Sequence, residues 1–296
     1  MKLRFATLDV FTNVRFAGNP LGVVFDADGL DGETMQAVAR EFGHPETVFV
    51  LKPMAGVTAA VRIFTPANEL AFAGHPTVGT ALVLALRRDG GSDIVLGEKI
   101  GPVKCRVQPE GTDHGRAAFV VPALPATAGT PASNQAIAAA IGIKPEDIGF
   151  EGLEPSKWSV GNTFTFIPLR SIDAVRRCAI EDARWDAAFE AGGRSFAFMF
   201  CRETLDKANS FHARMFAPRA GIREDPATGS AAAAFAGFAA KSLSLADGEH
   251  RFVIEQGFEM SRPSLIELGV SIRGGALASA TVGGPAIIVT EGTIEA

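Results

Sequence analysis

Tyrosine is absent from this 296-residue chain, so no phenol can serve as acid, base or nucleophile. Cysteine is scarce. Cys105, Cys178 and Cys201 are an odd number at wide spacing, which fits neither a disulfide framework nor a paired zinc motif and leaves buried, reduced thiols. No apolar run reaches the ~18 residues that suggest a membrane span, and the stretch from Met1 to Asp9 lacks the apolar core of a signal peptide. A cytoplasmic protein without a membrane partner is the expectation. G-x-G-x-x-G, Walker A, G-x-S-x-G and H-E-x-x-H patterns are all missing. His44-Pro45-Glu46 matches the H-x-E start of zinc deaminases, but the P-C-x-x-C that completes their site does not follow. His44, His75, His114, His212 and His250 form no local metal-ligand cluster, so chemistry with neither metal nor cofactor is expected. With Lys+Arg at 28 and Asp+Glu at 33, the net charge of −5 gives no general pull toward nucleic acid or anionic lipid. A small-molecule partner fits better.

What is present is ordinary for a folded chain: 47% hydrophobic and 21% charged residues argue against disorder, collagen-like repeats and coiled coil. The length amounts to about two domains. Arg62-Ile63-Phe64-Thr65-Pro66 is answered by Arg214-Met215-Phe216-Ala217-Pro218, at an offset of 152 (214 − 62). His75-Pro76-Thr77-Val78-Gly79-Thr80-Ala81 is answered by Asp225-Pro226-Ala227-Thr228-Gly229-Ser230-Ala231, at an offset of 150 (225 − 75). A weaker echo pairs Gly18-Asn19 with Gly161-Asn162. Echoes in one order, near half the chain length apart, predict two similar domains. Pro122, Pro125 and Pro131 place the seam near residue 125, giving a first domain over 1–125 and a second over 126–283.

Each repeat reads as strand, loop, helix. The segments from Pro76 to Leu86 and from Pro226 to Ala240 are apolar or small on every face, the mark of a buried helix, with Asp225 as the N-cap of the second. Surface helices are predicted from Gly32 to Phe42 and from Ser133 to Ile141. The remainder is mostly short β-prone runs. The economical assembly is an α+β protein of two barrel-like halves, each a curved, mainly antiparallel sheet around a central helix.

If the halves face one another, the two helix starts present unpaired N–H groups to one cleft, an arrangement suited to an anion. Gly79 and Gly229, read as lying in the first helical turns, either admit a carboxylate or permit close helix–strand packing. His75 and Asp225 are different titratable groups in equivalent places. Singly they read as a packed core histidine and a cap; together they suggest chemistry. Glu46, after the turn-like Gly43-His44-Pro45, is a third candidate acid/base or a solvated surface charge. Asn19 either orients a polar substrate group or forms a turn.

With those residues in view, the chain resembles the PhzF-like phenazine-biosynthesis isomerase family, within the diaminopimelate epimerase-like fold. The resemblance is carried nearly end to end by Phe16-Ala17-Gly18-Asn19-Pro20, the segment from Met35 to Phe42, Glu46-Thr47-Val48-Phe49, Phe72-Ala73-Gly74-His75-Pro76-Thr77, the segment from Asp225 to Ala231, and Glu255-Gln256-Gly257. It implies two pseudo-symmetric domains with the active site between them, a homodimer, and a last strand, from about residue 284, that returns to the first domain. It also implies Glu46 as the acid/base that moves a proton between carbons, assisted by His75 and Asp225, with Asn19, Gly74, Gly229 and Ser230 as substrate-binding positions. The family's known member isomerises trans-2,3-dihydro-3-hydroxyanthranilate, a cyclic amino acid with a carboxylate. The implied activity is therefore a cofactor-independent isomerisation of a small cyclic or amino-acid-like carboxylate. The epimerase branch of the fold uses two cysteines, and none of the three here lies in either helix-start motif. Two alternatives stand beside the isomerase: a racemase or epimerase working with Glu46 and Asp225 or His75, and a small-molecule-binding protein without turnover. The sequence departs from the family's usual pattern at Ser261, where Gly commonly precedes Arg, and at His44-Pro45 before Glu46.

Overall fold

Alternation of apolar and polar residues, as in Val103-Lys104-Cys105-Arg106-Val107, is what a strand with one buried face requires, and strands dominate the molecule. The computed structural model describes residues 1–87 and 92–296. The chain divides into two compact units, Met1–Pro122 with Val282–Ala296, and Ala123–Thr281.

The first unit opens with β1 (Lys2–Val10), β2 (Asn19–Val24), α1 (Gly32–Phe42), β3 (Glu46–Leu51) and β4 (Ala59–Phe64). Asp31 caps α1 by accepting the Thr34 N–H, and Gly43 ends it at φ 64. There follow β5 (Glu69–Leu70), α2 (Gly74–Leu86), β6 (Asp93–Glu98), β7 (Gly101–Pro109) and β8 (His114–Val120). Pairing runs β1–β2 antiparallel, β2–β3 parallel, β3–β4 antiparallel and β4–β6 parallel, then antiparallel through β7 to β8. The ring is closed by a strand from the far end of the chain, which pairs with β8 and lies antiparallel to β1. The result is an eight-stranded barrel. Every residue from Gly74 to Ala85 is buried, so α2 is the barrel's core, as its all-round apolar character requires.

The second unit holds β9 (Ala126–Thr127), α3 (Asn134–Ala140), β10 (Ser156–Val160), β11 (Asn162–Pro168), α4 (Ile172–Arg177) and α5 (Asp182–Phe189). It continues with β12 (Phe196–Cys201), β13 (Phe211–Ala217), β14 (Ile222–Asp225), α6 (Gly229–Ser242), β15 (Gly248–Gln256) and β16 (Ser264–Arg273). The ring-closing strand is β17 (Ala276–Glu295), and the division between the units falls within it. Pairing runs β10–β11 antiparallel, β11–β12 parallel, β12–β13 antiparallel, β13–β15 parallel and β15–β16 antiparallel. That is the order of senses found from β1 to β7, so the architecture is α+β and duplicated. The core of this unit is aromatic: the Phe235 ring of α6 packs at 5.0 to 5.2 Å from Phe166, Phe200 and Phe211.

The repeated sequence motifs occupy matching places. Arg62 in β4 donates two hydrogen bonds to Glu69 in β5, at 2.8 and 2.9 Å, and its guanidinium lies 5.0 Å from the Phe64 ring. Arg214 in β13 does the same to Glu224 in β14, at 2.7 and 2.8 Å, and lies 4.8 Å from Phe216. A bidentate arginine fixes the short return strand before each central helix. Asn19 and Asn162, each after a positive-φ glycine, open β2 and β11.

The start of α6 differs from the sequence expectation. Residues 226–228 lie outside the helix, which begins at Gly229 with Thr228, and not Asp225, at the N-cap. The cause is Gln256 at the end of β15. Its amide oxygen accepts the Thr228 N–H (3.2 Å), and its NH2 donates to the Asp225 carbonyl (2.7 Å) and the Thr228 hydroxyl (3.0 Å). Asp225 instead closes β14 and accepts the Thr228 hydroxyl proton at 2.6 Å.

Candidate active site

Within the first unit, two of the sequence candidates meet. Glu46 is the first residue of β3, and His75 sits in the first turn of α2, one residue inside its start. Nε2 of His75 lies 3.3 Å from Oε2 of Glu46, with side-chain exposures of 5% and 12%. Glu46 is therefore no solvated surface charge. Burial pushes the imidazole down to about 3; a hydrogen bond to the Pro20 carbonyl opposes this, and the nearby His44 adds to it. The ring is neutral at physiological pH. A proline carbonyl can only accept, so the nitrogen facing Pro20 carries the ring proton, and Nε2 presents a lone pair to the Glu46 carboxyl. The two atoms are close enough for a proton to pass between them once one is delivered to the carboxyl.

The same end of the barrel carries Asn19, buried at the start of β2, and Gly74, buried as the first residue of α2. Leu21, two residues beyond Asn19, pairs with Glu46 in the β2–β3 register. The preceding loop is strained. Phe16 has φ 70, is 74% exposed, and donates its N–H to the Asp9 carboxylate at 2.6 Å. Gly79 has a packing role. It lies in the second turn of α2 and not the first, and a Cβ there would come within 2.6 Å of Leu21 Cδ2 and 2.8 Å of Val10 Cγ2.

In the second unit, Asp225 is half-buried within the Thr228–Gln256 network, Gly229 is the buried first residue of α6, and Ser230 is half-buried beside it. His212, fully buried in β13, lies 2.9 Å from Glu255 and 2.8 Å from Glu259. Burial alone would lower this imidazole, but the two carboxylates outweigh it and raise it, so His212 is a charged strut. Ser261 holds φ 57, a left-handed conformation that favours glycine.

Two polar residues of these networks, Gln256 and His212, are not identifiable as site residues from sequence, although Gln256 falls within the Glu255-Gln256-Gly257 motif. The thiols contribute no acid/base pair. Burial holds Cys105 well above the ordinary range and pushes Cys178 and Cys201 up to about 12. Among the described residues no group of His, Cys, Asp or Glu is arranged to hold a metal ion, and no helix is long and apolar enough to cross a membrane. A cavity of about 700 Å3 lies in the first unit beside Leu84 and Arg87, at the opposite end of α2 from His75, and includes neither Glu46 nor His75.

A closed barrel around a buried helix, repeated in topology and carrying a desolvated carboxyl–imidazole pair, defines the protein as a duplicated α+β barrel protein with a candidate acid–base centre. The sequence profile of PhzC-PhzF, described as phenazine biosynthesis-like protein, matches residues 8–292. The chain is 46% identical to an uncharacterized isomerase, mll1393, of Mesorhizobium japonicum, over 97% of this chain and 96% of that one. It is 32% identical to the trans-2,3-dihydro-3-hydroxyanthranilate isomerase of Pseudomonas fluorescens, over 98% of each. Its fold matches the crystal structure of a PhzF-family phenazine biosynthesis protein of Bacillus anthracis with a TM-score of 0.90, at 27% identity over the whole of both chains. The chain belongs to the PhzC-PhzF family of phenazine biosynthesis-like proteins, and it is an isomerase.

Proposed function

We propose that the protein moves a proton between carbons of a small, carboxylate-bearing cyclic or amino-acid-like substrate, without a cofactor. The observation that carries this reading is the buried 3.3 Å contact between His75 Nε2 and Glu46 Oε2. Glu46 takes a proton from an activated carbon and returns it to another, and its low exposure keeps water from competing for that proton. His75, neutral and oriented by the Pro20 carbonyl, accepts or returns the proton that Glu46 holds between the two steps. Asp225 assists proton handling. Asn19, Gly74, Gly229 and Ser230 are assigned to substrate binding, the two glycines through backbone N–H groups at helix starts, which suit a carboxylate. The relatives named trans-2,3-dihydro-3-hydroxyanthranilate isomerase support a substrate of that chemistry. A homodimer acting in the cytoplasm belongs to the same reading, and sedimentation of the purified protein tests the dimer.

The test is incubation with trans-2,3-dihydro-3-hydroxyanthranilate, and in parallel with a pool of small cyclic and amino-acid carboxylates, in heavy water. Gain of carbon-bound deuterium together with a shifted double bond is the expected result. Exchange with inverted configuration and no shift would make the enzyme an epimerase. Absence of exchange on ligands shown to bind would overturn the catalytic reading.

A further inference from the structure

Glu98 ends β6, is 7% exposed, and faces the start of α2. Its Oε1 lies 2.7 Å from the Thr77 hydroxyl, and its Oε2 has no hydrogen-bond partner. The same Thr77 hydroxyl lies 2.7 Å from the Ala73 carbonyl, the N-cap residue of α2. A hydroxyl has one proton to give, and two oxygens stand at donating distance. The Ala73 carbonyl can only accept. Both contacts are hydrogen bonds at once when Glu98 supplies the second proton.

The duplicated topology gives an independent reason. In the parallel pairing of β4 with β6, Ala59 is opposite Leu96; in that of β13 with β15, Phe211 is opposite Ile254. The repeated arginines, Arg62 and Arg214, stand three residues beyond Ala59 and Phe211. Glu98 and Gln256, each two residues beyond the paired position and each the last residue of its strand, are therefore counterparts. Gln256 binds the start of α6 through Thr228 with a neutral amide that both donates and accepts. A protonated carboxyl has the same shape and the same capacity.

We infer that Glu98 is a positioning residue for the Glu46–His75 pair: as a neutral carboxylic acid it donates to Thr77, which donates to Ala73 and so fixes the turn that carries His75. This rests on the reading of that pair as the acid–base centre. Burial pushes Glu98 up to about 8, opposed by the Thr77 contact, in keeping with a neutral acid at physiological pH. From α2 it is faced by Thr77 and from β7 by the Cys105 thiol, itself held protonated by burial and by Glu98. The β4 residues aligned with β6, Ala59 and Ala60, carry no titratable group. Above that midpoint the carboxylate can no longer donate, Thr77 turns its hydroxyl proton to Glu98, and the Ala73 carbonyl keeps only the Thr77 backbone N–H, at 3.2 Å.

The test is NMR on the full chain with carboxyl-labelled glutamate and ring-labelled histidine, from pH 5.5 to 9.5. The Glu98 resonance is assigned by its loss in Glu98→Gln, and the His75 resonance by its loss in His75→Asn. The expected result is a neutral-acid shift for Glu98 at pH 6.5, a midpoint near 8, and a His75 shift that follows the same midpoint. In Glu98→Gln the His75 signal should hold its low-pH position to pH 9. A Glu98 carboxylate already ionised at pH 6.5, or a His75 titration unchanged in Glu98→Gln, overturns the inference. Should Glu98→Gln not fold, Thr77→Val assigns Glu98 as the glutamate whose midpoint moves, and Thr77→Ser should restore it. With a turned-over substrate, the wild-type rate at pH 9 should fall to about a tenth of its plateau, the fraction still neutral one unit above the midpoint, and the Gln variant should lack that fall. A protein that binds but does not exchange hydrogen would sink the proposed function while leaving the NMR result to decide Glu98.

Discussion

His75 Nε2 and Glu46 Oε2 stand 3.3 Å apart, one from the first turn of a buried helix and the other from the first residue of a strand. Replacing Glu46 by Gln keeps the shape and removes the proposed proton carrier. Carbon-bound deuterium uptake should fall by about 10²- to 10⁴-fold, with ligand affinity measured by calorimetry nearly unchanged. Uptake at the parent rate would assign the base elsewhere.

Two buried groups at this end of the barrel tie stability to pH in opposite senses. His75 is lowered from 6.5 to about 3, so the unfolded chain binds the extra proton between those values, and stability rises with pH across that window. Glu98 is raised from 4.5 to about 8, so the folded chain binds the extra proton there, and stability falls as pH climbs through it. Each effect is on the order of 3–5 kcal/mol over its full window. Urea midpoints against pH should show a shallower acid-side slope in His75→Asn and a shallower decline toward pH 8 in Glu98→Gln, with the remainder owed to the other shifted groups, His212 among them.

Gly79→Ala discriminates by sign. In a helix interior the change normally gains up to ~1 kcal/mol, but a Cβ here meets Leu21 and Val10, both fully buried. A net loss of about 1–3 kcal/mol is expected. Gly237→Ala in α6 should cost at least as much, because the atom in the way, 2.4 Å from the new Cβ, belongs to the rigid Trp158 ring. Thermal or urea unfolding of each variant reads the result.

Removing the charged strut in the second unit should cost more than either glycine change. His212→Gln leaves Glu255 and Glu259 without their shared cation, a loss of about 3–5 kcal/mol in urea unfolding. Because the folded value of His212 is raised above 6.5, its contribution is full below 6.5 and fades as pH rises through the folded value. The deficit of the variant should accordingly be largest on the acid side.

How much of this is legible in the sequence depends on how far apart the partners lie. The duplication is legible because Arg62 and Arg214 serve one local purpose, gripping a glutamate seven and ten residues on, and that purpose preserves a short motif. The central helices are legible from their apolar faces. The start of α6 is not, because Gln256, 28 residues from Thr228, takes the N–H that a local rule assigns to Asp225. Nor is the role of Gly79, decided by side chains of β1 and β2, or the proximity of Glu46 to His75, which only barrel closure creates. Glu98 looks like any charged residue beside a turn until Thr77 is placed against it.

The barrel of the first unit has its own consequence for how the molecule is made. β1 finds one neighbour in β2 almost at once, but its other edge is covered only by residues 286–295 of β17. During synthesis the outer edge of β1 therefore stays uncovered until residues 286–295 have emerged, some 280 residues later in the chain. The unit whose strands appear earlier is the one sealed later.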